Sequence, residues 1–407
     1  MFSFFFSSEQ LINNLKNTYL AHSPPCSIAL EVYFYKHYTM LSKTELLYTL
    51  ALQRTPNLGD TSAKKLLHHV GSAEGVFKEK PSNLLKIHGI GGFKIKQLQQ
   101  KNLLDLAREE LDFIASENLS YRYFKDPKYP EKLKHCLDGP ILFFQRGNID
   151  LENKKIISIV GTRKITTYGI SFCEKLIAEL APLNPVIVSG FAYGIDICAH
   201  KSAIANGLQN IACLAHGMNK IYPKAHQKYM SKVAQNGGFI SEFWSSDAFN
   251  RNNFLKRNRI IAGMSQATIV VESAAKGGSL VTADIANSYS RDVFAVPGRA
   301  TDTQSEGCNM LIKTHQASII TSAADLVYHL GWDLDEIQKP ELQPQLFTTL
   351  DEQEKTIFNF LKDKDKVLLD TIAIGCAMPT HKVAQLLLKL EMKSLVRPLP
   401  GKLFQWI

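Results

Sequence analysis

This 407-residue chain is poor in the signals that name most enzymes and membrane proteins. No apolar run approaches the roughly 20 residues that a membrane helix requires, so no membrane insertion is expected. The opening MFSFFFSSEQ is aromatic but has neither a basic lead nor a small-residue cleavage site, and does not read as a signal peptide. The seven cysteines (Cys26, Cys136, Cys173, Cys198, Cys213, Cys308, Cys376) are scattered without a C-x-x-C pair. That argues against a disulfide framework and a zinc site, and for a reduced, cytoplasmic protein. There is no G-x-x-x-x-G-K-[ST] loop, no G-x-S-x-G elbow, no H-E-x-x-H and no kinase signature set. Walker-type ATP hydrolysis and the commoner hydrolases are thereby set aside, and no catalytic residue, metal or cofactor is predicted. Acid is also missing from FNRNNFLKRNRIIAG (249–263), a stretch that carries Arg251, Lys256, Arg257 and Arg259.

What is present is an ordinary globular balance, 45% hydrophobic and 21% charged, with length enough for two or three domains. Lys and Arg number 47 against 38 Asp and Glu, and the net charge of +9 leans toward a polyanionic partner. Residues 1–39 lack periodicity and read as a disordered extension or a mis-assigned start, since MLSKTELLYTLALQR at Met40 opens like a fresh beginning, with Ser42 and Glu45 spaced as a capping box. Residues 40–118 show helical spacing. Within them, KIHGIGGFKIKQL (86–98) has the form of a helix-hairpin-helix turn; Gly89, Gly91 and Gly92 either offer backbone N–H groups to a phosphate or only permit a tight bend.

Residues 119–150 form a turn-rich connector, and from Lys154 to about Asp333 short apolar strands alternate with helices. This predicts an α/β fold, a doubly wound, Rossmann-like parallel sheet with helices on both faces over 119–333. Residues 334–348 read as a linker. Residues 349–407 suggest a winged helix, three helices and a terminal ribbon, with 9 basic against 7 acidic residues from Asp351 on. That near-balance argues as much for a protein contact as for duplex DNA.

In an open parallel sheet, ligands collect beyond the carboxyl ends of the strands. The turn VGTRKITTYG places Gly161, Thr162, Arg163 and Lys164 at such an end, before a helix N-terminus. VSGFAYGIDICAH brings Gly190, Gly194 and Asp196, without the spacing of a dinucleotide fingerprint. IYPKAHQ brings Lys224 beside Tyr222 and Pro223. VESAAKGGSLVTADIA brings Lys276, Gly277, Gly278 and Ser279 to a second helix start, and VPGRATDTQSEG brings Arg299. Arg257 and Arg259 lie about 200° apart on a helix, so one is expected to face an anion cleft and the other internal acceptors. Phe254 is either core or a base-stacking platform. His200, His216 and His226 read as structural, and Glu242 and Glu272 as partners for cations such as Arg259.

These turns, in this order, resemble the DprA (Smf) family of DNA-processing proteins. The segments that carry the likeness are DPKYPEKL, VGTRKITTYG, VSGFAYGIDICAHKSAI, YPKAHQ, FLKRNRIIAGMS, VVESAAKGGSLVTADIA, VFAVPG and EGCNMLI, spanning Tyr121 to Trp332. The resemblance implies a cytoplasmic, homodimeric protein that binds single-stranded DNA, protects incoming strands and loads RecA recombinase during natural transformation, with no known covalent reaction. Carried onto matching positions, it implies DNA contacts at Gly161, Thr162, Arg163, Lys224, Phe254, Arg257 and Arg259. Charge and position add Lys164, Arg251, Lys256, Lys276, Gly277, Gly278 and Ser279. The rival is an enzyme resembling nucleoside-monophosphate phosphoribohydrolases, in which Asp284 or Glu272 would stabilise a sugar cation; GGSLVTAD lacks the second Gly-Thr of that family's phosphate loop.

Overall fold

A computed structural model describes residues 41–332 and 350–406, apart from 363, 365, 394 and 400. The extension expected over 1–39 and the linker expected over 334–348 lie outside these residues. The chain divides into two compact units, one before residue 335 and one from there on.

The first unit begins with six helices: α1 (Lys43–Arg54), α2 (Asp60–Val70), α3 (Ala73–Lys78), α4 (Pro81–Leu84), α5 (Gly92–Leu98) and α6 (Leu103–Ser116). Ser42 caps α1 by accepting from the Glu45 N–H at 3.1 Å. The other half of the expected capping box is used elsewhere, because Glu45 Oε2 accepts from the Glu74 N–H at the start of α3, 3.1 Å away. The carboxylate thus joins two helices instead of closing one.

Nine strands follow: β1 (Ser120–Tyr123), β2 (Leu142–Asn148), β3 (Ile156–Val160), β4 (Val186–Ser189), β5 (Asn210–Cys213), β6 (Gly237–Ser241), β7 (Ala267–Val270), β8 (Asp292–Ala295) and β9 (Ser318–Ile319), with the short α7 (Glu131–Lys134) between β1 and β2. Their order is β1-β2-β6-β5-β4-β3-β7-β8-β9. The pairs from β6 through β9 are parallel, and β1 and β2 extend the β6 edge antiparallel. Strands such as IISIV and VIVS are buried along their whole length, as a sheet covered on both faces requires. On one face, Val188, Ile211 and Val270 pack with α11 (Asn252–Met264), α12 (Gly278–Ser288) and α13 (Glu306–Lys313). On the other, Ile157, Ile187 and Ile269 pack under α8 (Thr167–Leu180), α9 (Ile195–Ala205) and α14 (Ala323–Leu330). The helical region does not stand apart. Leu50, Leu66 and Ile114 share one continuous core with Phe144, Phe239 and Trp244 of the sheet and its loops. After Pro223 the chain starts as a 3-10 turn over Lys224–Tyr229 before α10 (Met230–Gln235).

The second unit is a winged helix: a helix over Glu352–Leu361, strand β10 (Val367–Leu368), helices over Leu369–Gly375 and Thr380–Met392, and a ribbon of β11 (Val396–Leu399) and β12 (Leu403–Trp406). Ile357, Ile372, Val383 and Leu387 form its core. VLLDTIAIGCA gives its first residues to β10, where Val367 pairs with Phe404, before its helix begins at Leu369.

Candidate nucleic-acid interface

The strand order reverses direction between β3 and β7, so the loops leaving these two strands open a crevice at their carboxyl ends. The β3 loop is held there closely. Thr162 N–H donates to the Glu272 carbonyl at 2.7 Å. The Thr162 hydroxyl donates to Gln304 Oε1 at 2.8 Å and accepts from the Lys164 N–H at 3.1 Å. Gly194 has φ +80°, and a Cβ there would run into the Thr162 carbonyl oxygen, so only glycine lets the β4 and β3 loops cross this closely. With Thr162 pinned, the next two side chains, Arg163 and Lys164, are exposed.

Arg163 reaches across to the start of α11. Its guanidinium lies 5.4 Å from the centre of the Phe254 ring, and Arg257 sits 5.9 Å from the same ring. Tyr222 and Phe249 complete an aromatic group, with ring centres 4.8 Å apart and at 5.7 Å and 5.6 Å from Phe254. Phe254 is half-buried, whereas Tyr222 is 38% and Phe249 50% exposed. Lys224 follows Tyr222 in the chain, Arg251 and Lys256 flank Phe254, and all three are exposed. The α11 N-terminal turn carries no acid, so its positive end faces this lip uncompensated.

Of Arg257 and Arg259, one was expected to face the cleft and the other internal acceptors; both turn inward, and Arg259 meets Glu242 as expected. Arg259 pairs with Glu242 and with Asp60, the latter at 3.2 Å, and donates to the Asp138 carbonyl. It is an internal strut between the helical region and the sheet, which removes it from the phosphate contacts. Arg257 is 3% exposed and donates to the Cys213 carbonyl at 2.5 Å. Beneath it lies the buried Asp196, whose pKa burial raises and Arg257 draws back. Arg257 therefore supports the Phe254 ring from below. Both arginines turn inward because α11 is sandwiched between the sheet and its neighbours, where two sides of a helix can be buried at once.

Lys276 and Gly278 are exposed at the start of α12. Gly277 is required locally, since a Cβ would strike the Ser273 hydroxyl. Ser279 is buried and donates its hydroxyl to Ser273 Oγ at 3.0 Å, which takes that side chain out of the candidate surface. On the far side of the β3 loop, a cleft of about 860 Å³ is lined by Thr166, Tyr168, Glu272, Arg299, Thr303 and Ser305, among others. Glu272 at its floor is 2% exposed and accepts from the Thr166 N–H at 3.0 Å. Of the rival enzyme's two alternative carboxylates, Asp284 is exposed on α12 and does not line this cleft, and Glu272 is bonded to Thr166. The histidines are structural, as expected: His200 Nδ1 lies 2.9 Å from Asn210 Oδ1, and burial lowers its pKa to about 4. His216 and His226 bond to backbone carbonyls. In the helix-hairpin-helix-like turn, Gly91 and Gly92 are exposed while Lys94 donates to Ser62 Oγ and to the Gly89 carbonyl.

Phe249 and Tyr222 were not singled out as stacking residues from sequence. The signal was there in the alternation of aromatic and cation around Asn250, but nothing local says that Tyr222, 27 residues upstream of Phe249, folds onto the same lip.

A doubly wound α/β unit with a cationic, aromatic rim at its switch point, followed by a winged helix, defines the class: a Rossmann-like protein with an accessory winged-helix unit. Within that class, residues 120–331 match the family model of DNA recombination-mediator protein A, and residues 340–402 match the DprA winged helix domain. The chain belongs to the DNA recombination-mediator protein A (DprA/Smf) family. It is 29% identical to Protein Smf of Synechocystis over 399 residues, 90% of this chain and 100% of that one. It is 38% identical to the DNA processing protein DprA of Streptococcus pneumoniae over 202 residues, 50% of this chain and 71% of that one. The X-ray structure of the pneumococcal DprA superposes with a TM-score of 0.57 at 29% identity, covering 71% of this chain and 98% of that one.

Proposed function

We propose that this protein binds single-stranded DNA at the Tyr222–Phe249–Phe254 lip, protects incoming strands and loads RecA recombinase during natural transformation, acting in the cytoplasm as a homodimer. The observation that supports this reading most is the meeting of three aromatic rings with exposed Arg163, while Lys164, Lys224, Arg251 and Lys256 are exposed a few residues along the same loops. Aromatic faces take any base and cations take the backbone, which is the chemistry of sequence-tolerant single-strand binding. Lys276 and Gly278 extend the proposed contact through the second helix start, while Gly161, Thr162 and Gly277, whose backbones are packed or already bonded within the protein, hold the turns that present the cations. RecA loading and dimerisation rest on the family resemblance; the proposed division into a helical region over 40–118, a DNA-binding domain over 119–333 and a winged-helix domain over 349–407 rests on the periodicity and turns of the sequence. No described helix is long and apolar enough to cross a membrane.

The test is binding of fluorescent single- and double-stranded oligonucleotides across a range of salt. Arg163→Ala is expected to weaken single-strand binding for every sequence alike and to flatten the salt slope by about 0.7. Unchanged affinity and slope in that variant would remove the site.

A further inference from the structure

We propose that the helical region is the brace that positions the DNA-stacking lip, with Glu110 and Arg54 as positioning residues; this rests on the single-strand reading above. Between β6 and α11 the chain crosses residues 242–251 without helix or strand. A segment of that kind has no ladder of its own, and holding Phe249 and Arg251 in place must overcome the backbone entropy of each residue fixed. The ties that hold it come from the helical region.

Glu110, on α6, is 2% exposed, and both of its carboxylate oxygens accept from the Ser245 N–H at 3.0 Å; the Ser245 hydroxyl donates to the same carboxylate. Trp244 Nε1 donates to Gln53 Oε1 at 3.0 Å. Arg54 pairs with Asp247, and its guanidinium lies 5.3 Å from the Trp244 ring. Asp247 Oδ2 in turn accepts from the Trp244 N–H at 2.9 Å.

The same knot reaches the other side of the lip. Asn219 Nδ2 donates to the Ser245 carbonyl at 2.9 Å, and Lys220 Nζ donates to the Asp247 carbonyl. Asn219 and Lys220 open the loop that presents Tyr222. Both exposed rings of the lip therefore hang from one set of hydrogen bonds, and α1 and α6 supply its fixed end. Glu110 is a costly way to hold α6 against the rest of the fold. Burial pushes its carboxyl pKa up, and the Ser245 donors pull the other way, so an apolar side chain would serve stability alone as well. A carboxylate aimed at one loop residue fits a demand for position.

The experiment uses the full chain with Glu110→Gln and Arg54→Ala. Gln at 110 keeps the shape but replaces one acceptor with an amide that cannot accept from Ser245. Three readouts are taken: anisotropy of a labelled oligothymidylate across salt, emission of a 2-aminopurine oligonucleotide at saturation, and the unfolding midpoint. Both folded variants are expected to lose about tenfold in affinity, of the order of one stacked base, with the wild-type salt slope retained and the 2-aminopurine change diminished. If Glu110→Gln fails to fold, Ser245→Ala carries the test, because it removes one donor and leaves the helical core intact. Wild-type affinity and emission in the folded variants overturn the brace. So does a loss that appears as a flatter salt slope, which would make Arg54 a phosphate contact. A wild-type chain that does not bind single strands overturns the functional reading instead, a distinguishable result.

Discussion

Arg251 and Arg259 are eight residues apart in one cationic stretch, yet they do different work. Arg251 is exposed at the α11 cap, where removing it unpairs nothing. Arg259 is ringed by Glu242, Asp60 and the Asp138 carbonyl, with its side chain 14% exposed. Truncating one partner of such a buried group strands the others. Arg259→Ala is therefore expected to cost about 3–5 kcal/mol of stability, whereas Arg251→Ala costs within about 0.5 kcal/mol and lowers single-strand affinity. Chemical denaturation alongside binding separates the two; equal effects on stability would contradict this division. The contrast also explains what sequence could not give. Residue type and spacing identify the cations and offer Glu242 as a partner for Arg259, but nothing local points to Asp60, 199 positions away in the chain.

Among the elements, the crossing of the β3 and β4 loops sets the interface. Gly161 packs so tightly that a Cβ would meet Ile195 and, at 2.9 Å, the Glu272 carbonyl oxygen. Gly194 passes the Thr162 carbonyl in a conformation with φ +80°. Gly194→Ala is expected to cost about 1–3 kcal/mol from backbone strain alone and to displace the β3 loop with its Arg163, so that single-strand affinity drops with stability. A variant of wild-type unfolding midpoint and affinity would show that the crossing is not fixed. The strands themselves were legible, because IISIV, VIVS and ATIV are short apolar runs between Gly- and Pro-bearing turns, and burial on both faces leaves no polar alternation to confuse them. Less legible were elements decided by distant partners. Val367–Leu368 reads as the start of a helix until its pairing with Phe404 and Leu403 draws it into the ribbon. Tyr222, read as a turn residue, becomes a stacking face only when Phe249 arrives beside it.

At the scale of the whole molecule, positive charge is concentrated by placement more than by amount. The net +9 is spread over 47 cations and 38 acids, yet Arg163 stands exposed against the Phe254 ring, and Lys164, Lys224, Arg251 and Lys256 are exposed on the loops that carry the aromatic group. If each meets a phosphate, the logarithm of single-strand affinity should fall with that of salt at a slope of about −3.5, at about −0.7 per contact. The winged-helix unit contributes little to that sum on its own evidence. Its helix over Thr380–Met392 exposes Leu388 at 58%, and Ile374 before it is 82% exposed. Apolar side chains on the surface of a nearly neutral unit suit a protein contact better than a polyanion. A chain ending after Trp332 is therefore expected to bind single strands within about twofold of the full protein, with the same salt slope to within about one phosphate contact. Anisotropy of the two chains against one oligonucleotide decides the matter: a shortened chain that folds but loses most of its affinity would move a share of the DNA contact onto the winged helix, and the five-cation account of the lip would then be incomplete.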